Sequence, residues 1–355
     1  MHDLSTDLLP LWRILDAATN RAAEGLRVAE DYVRFGLDDA HLTGQFKQLR
    51  HELTGLVARL EVARRHAARN TQLDVGTQET LASEANRRSL RDVFAAAAAR
   101  AQQAIRSLEE YSKLFDAELS AQFEALRYRS YTLASATINT TESRRRLEDA
   151  QLCVLVDGAN SLDEFTQRVE AICAAGAPLI QLRDKQLADV ALLARARRLV
   201  EVAHRHGRLA IVNDRPDVAA AAQADGVHLG QDDLTVKDAR QVLGPDALVG
   251  VSTHSLEQAR TAVLDGASYI GVGPVFPSST KPFEEFVGVE LVGQVAAEIR
   301  LPAFAIGGVT RDRLAEIQQA GLDRVAVSGA VAAAVDPADE VRQLIAQLAG
   351  EATLR

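Results

Sequence analysis

Short apolar runs recur eight times between residues 151 and 355, and this recurrence limits the architectures available to that part of the chain. Most neighbouring runs are separated by a segment with helical spacing of its apolar residues. Eight such strand–helix units in a stretch of this length fit a compact (β/α)₈ barrel. A doubly wound open sheet is the alternative that the pattern leaves open. The runs are 152–156, 179–182, 209–212, 226–229, 248–251, 269–272, 303–306 and 324–327.

The first 150 residues have a different composition. They contain 5 of the 22 glycines and 1 of the 9 prolines, whereas Ala, Leu, Arg and Glu are abundant. Few helix-breaking residues and many good helix formers are typical of uninterrupted helices. We therefore predict an all-α domain over residues 1–136. A polar stretch rich in Ser, Thr and Arg predicts a linker over 137–150, and the barrel follows over 151–355.

Charge and cysteine content argue against several classes of function. The chain has 40 Lys and Arg against 49 Asp and Glu, a formal net charge of −9, which argues against a nucleic acid partner. Its two cysteines are too few for a disulfide scaffold or a multi-cysteine zinc site. No apolar run is long enough to span a membrane, and residues 1–12 lack the basic and apolar regions of a signal peptide. We therefore expect a cytoplasmic protein without a membrane partner.

Polar side chains follow seven of the eight apolar runs. In a (β/α)₈ barrel, the active site is built from the carboxyl ends of the strands and the loops after them. Because the strands are parallel, these polar residues are expected on one face of the barrel, where they form a single site. The polar segments are 181–185, 213–214, 231–233, 252–254, 273–281, 307–308 and 328–329.

The residue types at these strand ends indicate two phosphorylated ligands. Basic and hydroxyl side chains can surround a diphosphate, and carboxylates beside them can hold Mg²⁺, which prefers oxygen ligands. Backbone N–H groups after the last two strands of a barrel commonly bind a monophosphate. The diphosphate group would contact Arg183, Lys185, Ser278, Thr280 and Lys281. The Mg²⁺ ligands would be Asp214 and Asp233, and the monophosphate would lie at Gly307, Gly308, Ser328 and Gly329.

Six segments of the predicted barrel occur in the order of one known family: QLRDK, VNDRPDVAAAAQADGVHLGQDDL, GVSTHS, YIGVGPVFPSSTK, AIGGV and AVSGAV. They resemble thiamine-phosphate synthase along the whole barrel. The resemblance implies a transferase of thiamine biosynthesis. Such an enzyme joins 4-amino-2-methyl-5-(hydroxymethyl)pyrimidine diphosphate to 4-methyl-5-(2-phosphoethyl)thiazole, or to its 2-carboxy form, and yields thiamine phosphate and diphosphate.

The resemblance also implies a role for each residue at the strand ends. In a dissociative reaction, the pyrimidine methylene–oxygen bond ionises and the thiazole nitrogen captures the cation. The implied catalytic residues are Lys185, Lys281 and Ser252, and the implied Mg²⁺ ligands are Asp214 and Asp233. The implied substrate-binding residues are Gln181, Arg183, Lys185, Asn213, Ser252, Ser278, Thr280, Lys281, Gly308, Ser328 and Gly329.

Two alternatives concern the barrel: a thiazole tautomerase paralogue without diphosphate chemistry, and a non-catalytic phosphate-binding barrel. The Asn213–Asp214 pair together with Asp233 and Lys281 argues against the first, and the set of carboxylates and cations argues against the second. Among the histidines near the site, His228 is predicted to point between the barrel and its helices.

Two amphipathic segments of the N-terminal region resemble each other. When one segment is shifted along the sequence by a constant number of residues, its charged and aromatic residues align with those of the other. This repeat predicts two related helical hairpins. A polar loop over 69–77 lies between them. The aligned residues are Arg21 with Arg100, Arg27 with Arg106, Glu30 with Glu109, and Tyr32 with Tyr111.

The segments of this region also resemble a known domain: DAATNRAAEGLRVAEDYVRF, RNTQLDVGT and IRSLEEYSKLF. They are similar to the small helical hydroxymethylpyrimidine-phosphate kinase that occurs fused to thiamine-phosphate synthase. This resemblance implies a bifunctional enzyme whose first domain uses ATP to make the diphosphate that the barrel consumes. The alternative is a non-catalytic dimerisation or scaffold domain. The oligomeric state is left open, with a homo-oligomer as one possibility.

The kinase hypothesis requires phosphate-binding residues outside a P-loop, because no G-x-x-x-x-G-K-[ST] segment is present. Arginine is suited to this role. Surface ion pairs at helical spacing are the alternative interpretation of the same charges. The candidates for phosphate binding are Arg21, Arg27, Arg69 and Arg106, and the candidates for Mg²⁺ binding or general base catalysis are Glu30, Asp31, Asp74 and Glu109.

Overall fold

The computed structural model describes residues 8–69, 86–277 and 286–352. Backbone contacts divide the chain into two compact units, Met1–Ile138 and Asn139–Arg355. We call them the helical unit and the barrel unit. Across the described ranges, no helix combines the length and the apolar character that crossing a membrane requires.

The helical unit confirms the prediction of an all-α region. Side-chain caps fix where its helices begin: Asp39 accepts a hydrogen bond from the backbone N–H of Leu42, and Ser89 accepts one from Asp92. The helices are α1 (Leu8–Asp31), which continues into a π-helical turn (Tyr32–Gly36), α2 (Ala40–Ala58), α3 (Val62–Ala68), α4 (Leu90–Ser112) and α5 (Ala117–Arg146).

Helix α1 packs most extensively against α4. Small side chains line this contact, and a Cβ atom at Gly25 would lie 2.7 Å from the carbonyl oxygen of Ala97. Any side chain at Gly25 would therefore separate the two helices. The abundant alanine of this region thus serves close packing as well as helix formation.

The division between the two units falls inside α5, after Ile138. Residues 137–150, predicted as a linker, are helical as far as Arg146. Their polar side chains make bonds along this helix: the Thr137 hydroxyl donates to the carbonyl oxygen of Leu133 at 2.8 Å, and Arg145 pairs with Glu142. Only a short connection remains before the first strand.

Eight parallel strands form a closed barrel in which each strand pairs with its neighbours in the chain and the last pairs with the first. This confirms the predicted (β/α)₈ fold and excludes the doubly wound sheet, which has free edges. The strands are β1 (Leu152–Val156), β2 (Leu179–Leu182), β3 (Leu209–Asn213), β4 (Gly226–Leu229), β5 (Leu248–Thr253), β6 (Tyr269–Val272), β7 (Ala303–Ile306) and β8 (Val325–Val327).

Helices alternate with these strands, as the sequence pattern predicts. They are α6 (Leu162–Ala174), α7 (Asp189–Arg205), α8 (Pro216–Ala222), α9 (Val236–Leu243), α10 (Leu256–Leu264), α11 (Gly288–Glu298), α12 (Leu314–Gln319), α13 (Gly329–Ala332) and α14 (Pro337–Ala352). A short 3₁₀ turn over Arg311–Arg313 precedes α12.

The Tyr269 side chain lies in the interior of the barrel, packed edge-to-face against Phe304. Its ring lies against β5, where a Cβ atom at Gly250 would be only 2.1 Å from the ring carbon Cζ. Glycine at this inward position therefore makes room for the tyrosine.

Candidate functional site

The carboxyl ends of β2, β3 and β4 bring a lysine and two aspartates together. Lys185 Nζ lies 3.1 Å from Asp214 Oδ2, and the Lys185 side chain is 62% exposed. Asp214 follows β3 with φ of +60°, a left-handed conformation that costs energy for a residue with a side chain. Its backbone N–H donates to the carbonyl oxygen of His228 at 2.8 Å, which fixes this turn against β4.

Asp214 and Asp233 form a pair of neighbouring carboxylates. Burial, and after it the Asp233 carboxylate, raise the pKa of Asp214, although the ammonium of Lys185 opposes this shift. Asp233 Oδ2 accepts a hydrogen bond from the backbone N–H of Gly230 at 2.6 Å, which orients the second carboxylate. Two like charges held this close favour a cation between them.

This pair fits the ligand chemistry of Mg²⁺. The donor atoms are hard carboxylate oxygens, and the raised pKa of Asp214 indicates charge that a cation would neutralise. Within the described residues, no third His, Cys, Asp or Glu joins the pair in a metal-binding group. Water and substrate phosphate oxygens would therefore complete the coordination, as is usual for Mg²⁺.

Asp184 holds the loop after β2 in place. Its carboxylate accepts hydrogen bonds from the backbone N–H groups of Gly158, Gln186 and Leu187 at 2.8 to 3.1 Å. Burial alone would raise the pKa of Asp184, but these donors outweigh it and lower the pKa. The Asp184 carboxylate is thus occupied by backbone donors and does not pair with the neighbouring Arg183 or Lys185.

The prediction for His228 is wrong, because its ring lies inside the barrel. Nε2 is 3.0 Å from Ser252 Oγ, and Nδ1 is 3.2 Å from the Tyr269 hydroxyl. Side chains alternate along a strand, so Val227 and Leu229 take the outward positions of β4 and His228 points inward. The inward neighbour on β6, Gly271, carries no side chain and leaves space beside the imidazole.

His228 is neutral at physiological pH. Burial and, secondarily, the nearby Arg183 lower its pKa to about 4, although Asp233 opposes this shift. Burial also raises the pKa of the Tyr269 hydroxyl, which bonds to Gln181 as well. The chain Gln181–Tyr269–His228–Ser252 is therefore an uncharged hydrogen-bonded series that ends at Ser252. Sequence reasoning identified its two ends but missed the two middle members.

The loop after β6 packs against the end of β7. The backbone N–H of Phe276 donates to the carbonyl oxygen of Gly307 at 3.0 Å, and Arg313 donates to that of Gly308 at 2.7 Å. Gly308 has φ of +63°, and a Cβ atom there would lie 2.4 Å from the carbonyl oxygen of Pro277. Only glycine fits this close approach.

The remaining predicted residues of the barrel also lie at strand ends where they are described. Asn213 ends β3, while Ser328 follows β8 and Gly329 opens α13. Ser328 makes no side-chain capping bond to that helix. Three predicted residues lie outside the described residues, and they are Ser278, Thr280 and Lys281.

The predicted residues of the helical unit that the structure describes make several different sets of ionic contacts. Arg69 binds Asp16 through two hydrogen bonds, at 2.8 and 2.9 Å, and this carboxylate raises the pKa of Arg69. Arg21 is exposed on α1. Asp74 lies outside the described residues.

The other predicted residues form two similar ionic groups. In the first, buried Glu30 accepts a hydrogen bond from Arg50 of α2 at 2.8 Å and lies 3.7 Å from Arg27, which also pairs with Asp31 at 3.4 Å. In the second, buried Glu109 accepts one from Arg127 of α5 at 2.7 Å and another from Arg106. The second arginine of each group, Arg50 or Arg127, was missed because it lies on the next helix.

Comparison with known proteins matches both parts of the chain. A family model described as thiamine monophosphate synthase matches residues 152–331, and the ThiD2 family model matches residues 13–136. A thiamine-phosphate synthase of Thermosynechococcus vestitus is 43% identical over 340 residues, which are 95% of each chain. One of Rhodopirellula baltica is 43% identical over 331 residues, covering 90% of this chain and 88% of the relative.

A solved structure is similar to part of the chain. This is a thiamine phosphate pyrophosphorylase from Pyrococcus furiosus, with a TM-score of 0.52 and 30% sequence identity. The match covers 57% of this chain and 96% of that protein. The two curated relatives therefore extend over both matched regions, whereas this solved structure corresponds to little more than half of the chain.

Proposed function

Because this chain belongs to the thiamine monophosphate synthase family, we propose that its barrel joins a pyrimidine methyl diphosphate to a thiazole phosphate and releases diphosphate. The observation that carries this proposal is the meeting of Lys185, Asp214 and Asp233 at the strand ends, with Arg183 near enough to lower the pKa of His228. Cations next to paired carboxylates suit a diphosphate that arrives with Mg²⁺.

The proposed reaction is dissociative. The bond between the pyrimidine methylene carbon and the diphosphate oxygen breaks, its electron pair leaves with the diphosphate, and the thiazole nitrogen then bonds to the methylene cation. Arg183 and Lys185 would stabilise the departing diphosphate, together with Lys281. Charge placed in advance where negative charge develops is the main source of acceleration in such a step.

Asp214 and Asp233 are the residues that would hold Mg²⁺. When bound, the ion supplies positive charge toward the diphosphate oxygens. The Lys185–Asp214 ion pair supports this arrangement, because it already places an exposed ammonium beside the carboxylate that faces the ligand.

The uncharged hydrogen-bonded series that runs from Gln181 to Ser252 would position the pyrimidine. Gln181 and Ser252 offer hydrogen bonds to its amino group and ring nitrogens, and neutral His228 holds the Ser252 hydroxyl without adding charge. The thiazole phosphate would bind to the backbone at Gly308, Ser328 and Gly329. Ser278 and Thr280 would complete the contacts to phosphate. Orienting both rings makes capture by the thiazole nitrogen faster than capture by water.

We also propose that the helical unit phosphorylates the pyrimidine monophosphate with ATP and Mg²⁺, which would make the chain bifunctional. The match of residues 13–136 to the ThiD2 family and the two Arg–Glu–Arg groups, each centred on a buried glutamate, support this activity. All substrates are small phosphates, so the proposed setting is the cytoplasm. A non-catalytic scaffold remains the alternative outcome of the test below.

One experiment tests both activities. Purified full-length protein is given the pyrimidine monophosphate, ATP, Mg²⁺ and the thiazole phosphate, and thiamine phosphate is measured by chromatography. We expect it to form. A matched reaction supplies the pyrimidine diphosphate directly and omits ATP. Product in the second reaction alone would contradict the kinase activity, and product in neither would contradict the proposal for the barrel.

A further inference from the structure

The two hairpins of the helical unit carry the same ionic group at equivalent positions. The separation in residue number between Arg27 and Arg106 relates α1 to α4. A nearly equal separation relates Arg50 on α2 to Arg127 on α5. The caps follow the second separation, since Asp39 accepts from Leu42 at 2.8 Å and Asp116 accepts from Leu119 at 2.9 Å. The structure therefore contains the same helix cap and the same ionic group twice. The residues around them differ between the two copies.

The second copy opens into a groove of about 690 Å³, formed by α4 and α5. Two tyrosines lie beside the buried arginine of this copy: the Arg127 guanidinium carbon is 4.5 Å from the centre of the Tyr128 ring and 5.5 Å from that of Tyr131. The equivalent positions of the first copy are His51 and Thr54. Aromatic rings beside the arginine are therefore found in the second copy and not in the first.

The position of the Tyr128 ring is fixed by its contact with Arg127. The Glu109 carboxylate and then the Tyr131 hydroxyl raise the pKa of Arg127, whose side chain is only 9% exposed. The guanidinium is thus held by Glu109 and stacks on the Tyr128 ring through a cation–π contact. Tyr128 lines the groove and is 56% exposed, so part of its surface is available to a ligand.

Two half-exposed cations line the same groove. Arg106 and Lys113 both pair with Glu110, at 2.6 and 2.7 Å. Ion pairs between exposed side chains contribute little, so a phosphate can replace Glu110 as their partner. Helix α5 lines the groove with the small side chains of Ala117, Ser120 and Ala121 and, one turn further on, with Glu124.

We propose that this groove binds a planar heteroaromatic ring that carries a phosphate. The ring stacks on Tyr128, and the phosphate contacts Arg106 and Lys113. Glu109 and Arg127 are positioning residues, because they act through Tyr128. The inference rests on the proposed kinase function for the choice of ligands, since the pyrimidine monophosphate and ATP both have this chemistry.

The test measures binding to the full-length protein by isothermal titration calorimetry. The two probes are hydroxymethylpyrimidine phosphate alone and ATP with Mg²⁺, each titrated separately. The variants are Tyr128→Ala, Tyr128→Phe and a control, Tyr111→Ala, which removes an exposed tyrosine of α4 that does not line the groove. The barrel sequence is the same in every variant, so any binding there contributes equally.

We expect Tyr128→Ala to weaken one binding event at least about tenfold, which is the loss typical of a stacking aromatic ring. Tyr128→Phe and Tyr111→Ala should bind within about twofold of the unchanged protein. A loss confined to the pyrimidine phosphate identifies the groove as the site of that substrate, and a loss confined to ATP identifies it as the nucleotide site.

Three results would overturn the proposal: unchanged binding of both probes to Tyr128→Ala, equal weakening by Tyr111→Ala, or failure of the unchanged protein to bind either probe. Thermal unfolding of each variant shows whether the helical unit is intact. Binding at Tyr128 without phosphoryl transfer would leave the groove established and contradict only the kinase proposal, so the two failures are distinguishable.

Discussion

The barrel unit and the helical unit use charged residues in opposite ways. At the strand ends of the barrel, Arg183 and Lys185 flank an aspartate whose carboxylate is occupied by backbone N–H groups, and Lys185 is 62% exposed beside Asp214. In the helical unit, the buried carboxylates Glu30 and Glu109 are each paired with two arginines. A charged residue at a barrel strand end is therefore a stronger indication of a ligand site than one on a helical stripe.

The largest expected effect concerns the barrel site. Asp214→Ala should lower the rate of thiamine phosphate formation from directly supplied pyrimidine diphosphate by roughly 10²-fold or more, because it removes a proposed Mg²⁺ ligand. Steady-state kinetics at saturating Mg²⁺ measures this rate. Asp232→Ala, at the exposed neighbour of Asp233, is the matched control and should retain most of the activity. An Asp214→Ala enzyme with unchanged turnover would remove this residue from the mechanism.

A large stability effect is expected in the helical unit. Glu109→Gln leaves the buried Arg127 without its counter-charge, and breaking a buried ion pair from one side costs about 3 kcal/mol of unfolding free energy. Urea unfolding followed by the fluorescence of Trp12, the single tryptophan of the chain, reports on this unit. Glu124→Gln removes an exposed carboxylate 4.0 Å from the same arginine and should change little. Equal effects of both variants would contradict the assigned role of Glu109.

The stability of the barrel unit is expected to depend on pH. Burial lowers the pKa of His228 to about 4, below the value of about 6.5 expected in the unfolded chain. The unfolded chain binds the proton more readily, so this stability is present above pH 6.5 and is lost as the pH falls toward 4, by about 3 kcal/mol in total. Urea unfolding followed by circular dichroism at pH 7 and pH 5 measures it. The loss should shrink in His228→Gln, and an identical loss in that variant would assign the effect to other groups.

The sequence predicted the barrel well, for a reason that also explains what it missed. Strands that are buried on both faces read as short apolar runs, so all eight were found. His228 was misplaced because a run identifies a strand without saying which residues face inward. Its orientation follows from Val227 and Leu229 on the outer face and from the vacant inward position at Gly271 on β6, a relation between strands distant in sequence.

The charged groups of the helical unit were only half predicted. The stripe Arg27, Glu30 and Asp31 follows helical spacing, so the sequence reveals it. Arg50 lies on the next helix, far from Glu30 in the sequence, and no spacing within one helix points to it. A signal was nevertheless available, because Arg50 and Arg127 repeat at an offset close to that of the predicted hairpins.

The smallest expected effects test whether the contrast between the units extends to their helices. Asp39→Ala removes the cap of α2 and Ser161→Ala that of α6, and each should cost about 1 kcal/mol of unfolding free energy. The two losses should be similar, since a cap satisfies backbone N–H groups of its own first turn in either unit. Urea unfolding followed by Trp12 fluorescence measures the first, and by circular dichroism the second. A loss at Asp39 several times larger than at Ser161 would show that the helical unit depends on this aspartate for more than capping. The contrast between the units would then include helix termini as well as ionic groups.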